Sequence, residues 1–161
     1  MFTDEQFTRL AKKYIDTVFR VALNYLKSGA DADDVTQNVF LKLWKEKKTF
    51  DSDDHIRNWL IRVTINECKS MLRSPWRKSE NFEYYARALT FHFAQEHSDL
   101  FYAVMELPQK YRIPIYLYYY EGYSTDEVAS ILSIPRATVA TQLRRGREML
   151  RNFLQEADEY V

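Results

Sequence analysis

The side chains best suited to bind another molecule lie between residues 136 and 145 of this 161-residue chain. Arginine can donate two hydrogen bonds to a guanine edge, glutamine can pair with adenine, and hydroxyl groups can bind phosphate oxygens. The side chains in question are Arg136, Thr138, Thr141, Gln142, Arg144 and Arg145. Together they favour a DNA-reading surface, although a solvated helix face can carry similar charges.

Charge is segregated along the chain although its total is balanced. Lysine and arginine number 23, and so do aspartate and glutamate, which gives a formal net charge of zero. One basic segment runs from Arg57 to Lys78 and a second from Arg136 to Arg151. Two basic segments in a neutral chain suit two separate contacts with a polyanion, and the alternative is two solvated helix faces.

The histidines and the cysteine do not favour enzymatic chemistry. His55, His92 and His97 lack the spacing of metal ligands, and Cys68 lies within an apolar helical pattern. No glycine-rich phosphate loop occurs in the sequence. We therefore predict no enzymatic activity, no cofactor and no metal site. A single cysteine cannot form an internal disulfide, which favours a reducing cytoplasm, and no segment approaches the ~20 apolar residues that span a bilayer.

Helices must position these side chains, because apolar residues recur at intervals of three and four along most of the chain. The first predicted helix starts at Thr3 or Asp4 and ends at Gly29, and the second starts at Asp31. Pro114 is expected to kink or shorten a later helix. Further helices are predicted over about 53–73, 100–107, 108–121, 124–132 and 135–155. With no strand pattern, the fold class is predicted to be all-α.

The segment over 124–147 has the pattern of a helix-turn-helix. Ser124 and Glu127 form a capping box at the start of a short helix. Pro135 suits the beginning of the next helix, where its missing N–H costs nothing. Small or apolar residues occupy the expected inside positions, namely Ala129, Ser133, Val139 and Leu143.

We expect two small helical domains, over 1–75 and 98–157, joined by a linker over 76–97. The linker mixes charged residues with aromatic ones and lacks a clear period. Its aromatic residues are too many for a simple tether. We therefore expect part of it to dock on another surface and to hold a short helix.

Three segments resemble the extracytoplasmic-function (ECF) sigma factors of bacterial RNA polymerase, a group within the sigma-70 family. The segment over 107–151, LPQKYRIPIYLYYYEGYSTDEVASILSIPRATVATQLRRGREMLR, is similar to their C-terminal domain. The segment over 31–45, DADDVTQNVFLKLWK, resembles their core-polymerase-binding helix, and 56–73, IRNWLIRVTINECKSMLR, resembles the helix that reads the −10 promoter element. The order and separation of the three segments also match.

The resemblance implies that the helix over 31–45 docks on core RNA polymerase. The matching residues are Asp33, Asp34, Gln37, Phe40, Leu41 and Trp44. Leu41 falls off the apolar stripe of Val35 and Val39, so it has less reason to be buried. Phe40 and Trp44 could instead belong to the core.

The resemblance also implies that the loop over about 48–55 captures a base flipped from the melted −10 element. The −10 contacts are assigned to His55 and to residues on the following helix, namely Arg57, Asn58, Arg62, Asn66 and Lys69. Trp59 is expected in the core, because it shares a helix face with Ile56 and Val63.

The residues over 136–145 would then read the −35 element. Ala140 and Gln142 depart from the basic residues that many relatives carry, which leaves open which bases are read. The implied partners are core RNA polymerase, promoter DNA and an anti-sigma factor, which in this family often belongs to a membrane protein. The implied location is the cytoplasm, and regulation is expected from outside the chain.

Two other functions remain open from the sequence alone. A stand-alone, homodimeric helix-turn-helix regulator would explain 124–147 but would leave the helix over 31–45 without a role. A sigma-like decoy that binds an anti-sigma factor and no DNA would give Arg144 and Arg145 no role in transcription.

Overall fold

Eight α-helices form the regular structure of the computed structural model within the residues that it describes. These residues are 1–75, 82–93 and 99–159, without the side chains of 82–84, 92 and 157–159. No strand occurs among them, so the predicted all-α fold is confirmed. Lys78 and His97 lie outside the described residues, as do other parts of the predicted linker.

The chain divides into two compact units, Met1–Phe93 and Ala94–Val161. The first unit contains α1 (Asp4–Leu26), α2 (Gly29–Lys45), α3 (Asp53–Arg73) and α4 (Phe82–His92). The second contains α5 (Asp99–Glu106), α6 (Gln109–Tyr119), α7 (Thr125–Leu132) and α8 (Arg136–Glu159). None of the described helices is both long and apolar enough to cross a lipid bilayer.

In the first unit, α1, α2 and α3 pack against one another, and α4 packs on α1 and α2. The guanidinium of Arg20 on α1 lies 4.9 Å from the ring centre of Phe93, just beyond α4. This cation–π contact ties α4 to the three-helix core. Most apolar positions of the helical pattern face inwards, and those that are almost completely buried include Val18, Ala22, Leu23, Val35, Val39, Leu43, Leu60, Ile61 and Ile65.

Capping shifts the boundary between α1 and α2 from its predicted place. Lys27 adopts a left-handed conformation with φ of 54° and closes α1, so Gly29 does not end that helix. Gly29 instead begins α2, whose N-cap is Ser28. The Ser28 hydroxyl accepts a hydrogen bond of 3.2 Å from the N–H of Asp31. Asp31 therefore lies in the first turn, where its carboxylate suits the positive end of the helix dipole.

In the second unit, α8 packs against α5, α6 and α7. α6 continues past Pro114 to Tyr119, although proline removes one helical hydrogen bond. Pro114 and the neighbouring Ile113 and Ile115 are buried, so packing outweighs the local cost. α6 ends earlier than the predicted Glu121, and Gly122 follows with φ of 76°.

The predicted helix-turn-helix is formed by α7 and α8. The Ser124 hydroxyl accepts from the Glu127 N–H at 3.1 Å, and the Glu127 carboxylate accepts from the Ser124 N–H at 3.0 Å. These two hydrogen bonds are the expected capping box. Ser133 ends α7 in a left-handed conformation with φ of 55°. Val139 and Leu143 lie on the buried side of α8, the second helix of the motif, as predicted.

Gly146 lies at a close approach of α6 and α8. A methyl group at this position would lie 2.9 Å from Cγ1 of Ile115 and 3.5 Å from Cβ of Tyr111. Alanine would favour the helix by about 1 kcal/mol, but overpacking costs about 1–3 kcal/mol. The cost of overpacking therefore favours glycine at this position. The absence of a side chain lets Tyr111 and Ile115 of α6 pack directly on α8.

Candidate macromolecule-binding surfaces

The six residues predicted to read DNA, here called the recognition face, all lie on the first half of α8. Arg144 and Arg145 are exposed, and so is Thr138. Arg136 is also exposed, but its Nε lies 2.8 Å from Oδ1 of Asp126 on α7. This ion pair is solvated, so it is worth little in stability and leaves Arg136 able to exchange Asp126 for another anion.

Thr141 and Gln142 are only half-buried rather than fully outward as predicted, because they flank the buried Val139 and Leu143. Both side chains line a polar groove of about 380 Å³ between α6 and α8. Oε1 of Gln142 is buried and has no hydrogen-bond partner among the described residues. The recognition face therefore has an exposed part and a part that lies inside a groove.

The other side of this groove is formed by two residues that the sequence analysis did not identify. Lys110 and Tyr111 line the groove from the first turn of α6, opposite Arg145. Partial desolvation acts to raise the pKa of Tyr111, but hydrogen bonds from Lys110 and Arg145 outweigh it and hold that pKa below its usual range. The spacing of apolar residues predicts the buried side of each helix but not which residues of α6 and α8 meet. This contact is therefore seen only in the folded structure.

The helix expected to bind core polymerase presents a mixed acidic and apolar surface. Asp33 and Gln37 are exposed, and Asp34 is partly exposed. Leu41 is 55% exposed, which agrees with its position off the apolar stripe. Together with Trp44, which is 36% exposed, these residues form what we call the α2 face.

Phe40 does not belong to the α2 face, because it is only 8% exposed. Its ring meets that of Phe7 edge to face, with centroids 6.4 Å apart. Phe7 also meets Trp44, at a centroid distance of 5.0 Å. Phe40 is therefore a core residue that packs behind the α2 face. Trp44 packs against Phe7 and is also accessible to a partner.

The residues predicted to contact the −10 element lie on α3, mostly on its outer side. Arg62 and Asn66 are exposed, whereas Arg57, Asn58 and Lys69 are half-buried. We call these five residues the α3 face. The buried side of the same helix includes Ile56, Leu60, Ile61, Thr64, Ile65 and Cys68.

His55 lies in the first turn of α3, not in the preceding loop, and it is half-buried. Its Nδ1 accepts a hydrogen bond of 3.1 Å from the N–H of Asp51. Its backbone N–H donates at 3.1 Å to the hydroxyl of Ser52, the N-cap of α3. His55 therefore fixes the end of the loop over 46–52 rather than projecting freely from it.

Phe50 anchors the same loop through three aromatic contacts. Its ring centroid lies 6.0 Å from that of Phe2, 5.1 Å from that of His55 and 5.7 Å from that of Trp59. Trp59 is expected in the core from the sequence, but it is only half-buried and belongs to this aromatic cluster. The cluster therefore holds the C-terminal end of the loop. Lys47, Lys48 and Thr49 remain exposed, so the middle of the loop is accessible.

Two polar contacts attach the beginning of α3 to α1. Nζ of Lys13 lies 2.7 Å from Oδ2 of Asp53, and the Tyr14 hydroxyl donates to the Asp53 carbonyl at 3.3 Å. The hydrogen bond with Lys13 lowers the pKa of Asp53, and the same bond raises the pKa of Lys13. These contacts add to the packing of α3 against α1.

Cys68 lies in the core of the first unit and takes no part in these surfaces. Burial is the largest cause that raises the pKa of its thiol far above the usual value, with Glu67 and Asp31 adding to the effect. A thiol in this state is a poor nucleophile, because the thiolate is the reactive form.

Comparison with protein families matches both units. The family model for sigma-70 region 2 matches residues 10–78, and the model for sigma-70 region 4 matches residues 97–150. The first match contains the α2 face and the α3 face, and the second contains the helix-turn-helix.

Individual relatives agree with these family matches. The chain is 28% identical to the ECF RNA polymerase sigma factor SigE of Mycolicibacterium smegmatis, over 90% of this chain and 60% of that protein. It is also 28% identical to the ECF RNA polymerase sigma-E factor of Escherichia coli, over 92% of this chain and 86% of that protein. The chain thus spans less than two thirds of the first relative.

The fold also matches that of a solved protein. The sigma factor RpoE of Bartonella quintana, in complex with the anti-sigma factor NepR, aligns with a TM-score of 0.68 and 18% identity. The alignment covers 92% of this chain and 96% of that protein.

Proposed function

This chain belongs to the sigma-70 family, and from that premise we propose that it is an ECF sigma factor that directs bacterial core RNA polymerase to specific promoters. The observation that carries the proposal is that two sigma-70 family models match in order, region 2 over 10–78 and region 4 over 97–150. The first match contains the α2 and α3 faces, which suit polymerase and the −10 strand, and the second contains the recognition face, which suits duplex DNA. Neither a stand-alone regulator nor a decoy would use all of these surfaces. The chain forms and breaks no bond itself, and it acts in the cytoplasm.

We assign the activities needed for initiation to two parts of the chain. Residues 1–75 bind core polymerase and help to melt and read the −10 element, and residues 98–157 read the −35 element in duplex DNA. Residues 76–97 connect the two. Because each contact alone is weak, assembly with polymerase raises the effective concentration of the second contact once the first has formed.

The α2 face is the proposed docking surface for core polymerase. An exposed leucine and tryptophan beside carboxylates and an amide suit a partner helix that carries arginine and leucine. α2 is held in place by packing against α1 and α3, and Lys42 on α2 also forms an ion pair with Glu67 on α3. A rigid surface loses less conformational entropy when it binds.

The α3 face and the loop over 46–52 are proposed to receive the melted −10 strand. Flipping a base out of the stack costs a few kcal/mol, and this cost must be offset by stacking and hydrogen bonding in a prepared pocket. The contacts of Phe50 and His55 hold the loop ready for such a base. Arg62 and Asn66 lie along the exposed side of the following helix and suit the strand that leads away from it.

Replacing Phe50 by alanine should weaken open-complex formation by about tenfold or more, because the loop loses three aromatic contacts worth about 0.5–1.5 kcal/mol each. Permanganate footprinting of the melted region measures this effect. Phe153→Ala, which removes an exposed phenylalanine from α8, is the matched control and should leave melting unchanged. Equal promoter melting with Phe50→Ala and with the wild type would contradict the proposal that the Phe50 contacts hold the loop in place for a flipped base.

An anti-sigma factor is the proposed regulator of this chain. Bartonella quintana RpoE, which has the same fold, was solved with the anti-sigma factor NepR. The second unit also has an apolar groove of about 410 Å³, whose lining includes Leu100, Val104, Ile115, Leu150 and Leu154. A groove of this kind suits the apolar side of an amphipathic helix.

Reconstitution with purified bacterial core RNA polymerase tests the proposed function. The chain and core polymerase are expected to co-elute on gel filtration and to give run-off transcripts from templates selected out of a randomised promoter library. Transcripts without the chain should be at background level. Tight binding to palindromic DNA without polymerase would instead support a stand-alone regulator, and anti-sigma binding without transcription would support a decoy.

A further inference from the structure

The polar groove between α6 and α8 combines cationic, hydroxyl and amide groups in one concave surface. Its lining residues are Lys110, Tyr111, Ala137, Thr138, Thr141, Gln142 and Arg145. Neither aspartate nor glutamate is among these described lining residues. The groove is therefore positively charged and rich in hydrogen-bond donors, which suits an anionic ligand.

The position of the groove indicates which anion it would meet. Thr138, Thr141 and Arg145 belong to the recognition face of the second helix of the helix-turn-helix. A DNA strand that meets this face brings its phosphates to the adjoining groove, since such helices lie in the major groove between the two sugar-phosphate backbones. Lys110 is exposed at this edge, on a helix outside the α7–α8 motif.

We propose that Lys110 binds a backbone phosphate of the −35 DNA and that Tyr111 acts as a positioning residue for Arg145. This inference rests on the proposed function and adds α6 to the DNA-binding surface. Lys110 is held near its site, because its Nζ lies 5.1 Å from the ring centre of Tyr111. From this position beside the ring, the ammonium group can donate to a phosphate oxygen.

The role of Tyr111 follows from the length of the arginine side chain. A free arginine loses considerable rotamer entropy when it is fixed against DNA. Tyr111 and Arg145 face the same groove from α6 and α8, and the nearby Arg145 guanidinium helps to hold the pKa of Tyr111 low, so the hydroxyl is placed to orient the guanidinium before DNA arrives. Gly146 makes this arrangement possible, because it lets α6 approach α8 at Ile115 and Tyr111.

The Lys110 contact is tested by binding of the full-length chain to a labelled duplex, selected with the polymerase complex for its −35 element. Lys110→Ala should weaken binding about eightfold at 0.1 M salt and should reduce the slope of log K against log salt by about 0.9, as expected for one lost phosphate contact. Lys12→Ala removes the same charge from α1 and should change neither value. An unchanged salt slope for both Lys110→Ala and the milder Lys110→Gln would overturn the phosphate contact.

The positioning role is tested by combining two substitutions. Tyr111→Phe keeps the ring but removes the hydroxyl, and it should weaken binding about twofold to tenfold. In an Arg145→Ala background the same change should have no further effect, because Tyr111 acts through Arg145. Additive losses would overturn this role. If Arg145→Ala alone leaves binding unchanged while the chain stays folded, it is the proposed −35 reading that fails.

Discussion

Leu41→Ala should weaken binding to core RNA polymerase about 30-fold, which corresponds to the 2 kcal/mol of an interface hot spot. Leu41 is suited to this role because its apolar side chain is 55% exposed, more than that of Trp44, the other exposed apolar residue of α2. Its loss removes contact area at the centre of the α2 face without leaving a cavity in the core. The affinity is measured by fluorescence anisotropy of the labelled chain titrated with core polymerase.

Ile15 provides a matched control for this experiment. It is an aliphatic residue on α1 and is 50% exposed, close to the value for Leu41. Ile15→Ala therefore removes similar apolar area outside the α2 face and should bind polymerase like the wild type. Equal affinities for Leu41→Ala and Ile15→Ala, with both proteins folded, would exclude Leu41 from the docking surface.

Arg145→Ala and Arg144→Ala should each reduce −35-dependent transcription about 5- to 150-fold, because a specific arginine contact with a base is worth about 1–3 kcal/mol. Both side chains are exposed on the recognition face and neither supports the core. The stability of the two variants should therefore stay close to that of the wild type. Run-off transcription under limiting holoenzyme measures the loss.

A promoter with a scrambled −35 element separates DNA reading from other effects. On that template the two arginine variants and the wild type should give equally low transcription. Lys12→Ala, which removes a positive charge from α1 in the first unit, should behave as the wild type on both templates. Undiminished transcription by the arginine variants on the intact promoter would favour the decoy, which needs no −35 contact.

Most of the helical architecture could be predicted from the sequence, because it depends on local interactions. The three- and four-residue spacing of apolar side chains predicts the helices and their buried sides. The capping box of Ser124 and Glu127 fixes the beginning of α7. The sequence predicts Gly29 at the end of α1, but Lys27 takes the left-handed position that glycine usually fills and ends the helix earlier.

The tertiary structure decided which candidate side chains are accessible and which are held by neighbours. Phe40 is placed in the core and Leu41 at the surface, although they are adjacent in sequence. The aromatic anchoring of Phe50 and the groove that joins Tyr111 to Arg145 depend on residues from different helices. Helical periodicity describes one helix at a time, whereas these contacts depend on how closely two helices approach, as α6 and α8 do at Gly146. Sequence pattern therefore predicted the reading helix, and only packing between helices revealed the residues that position it.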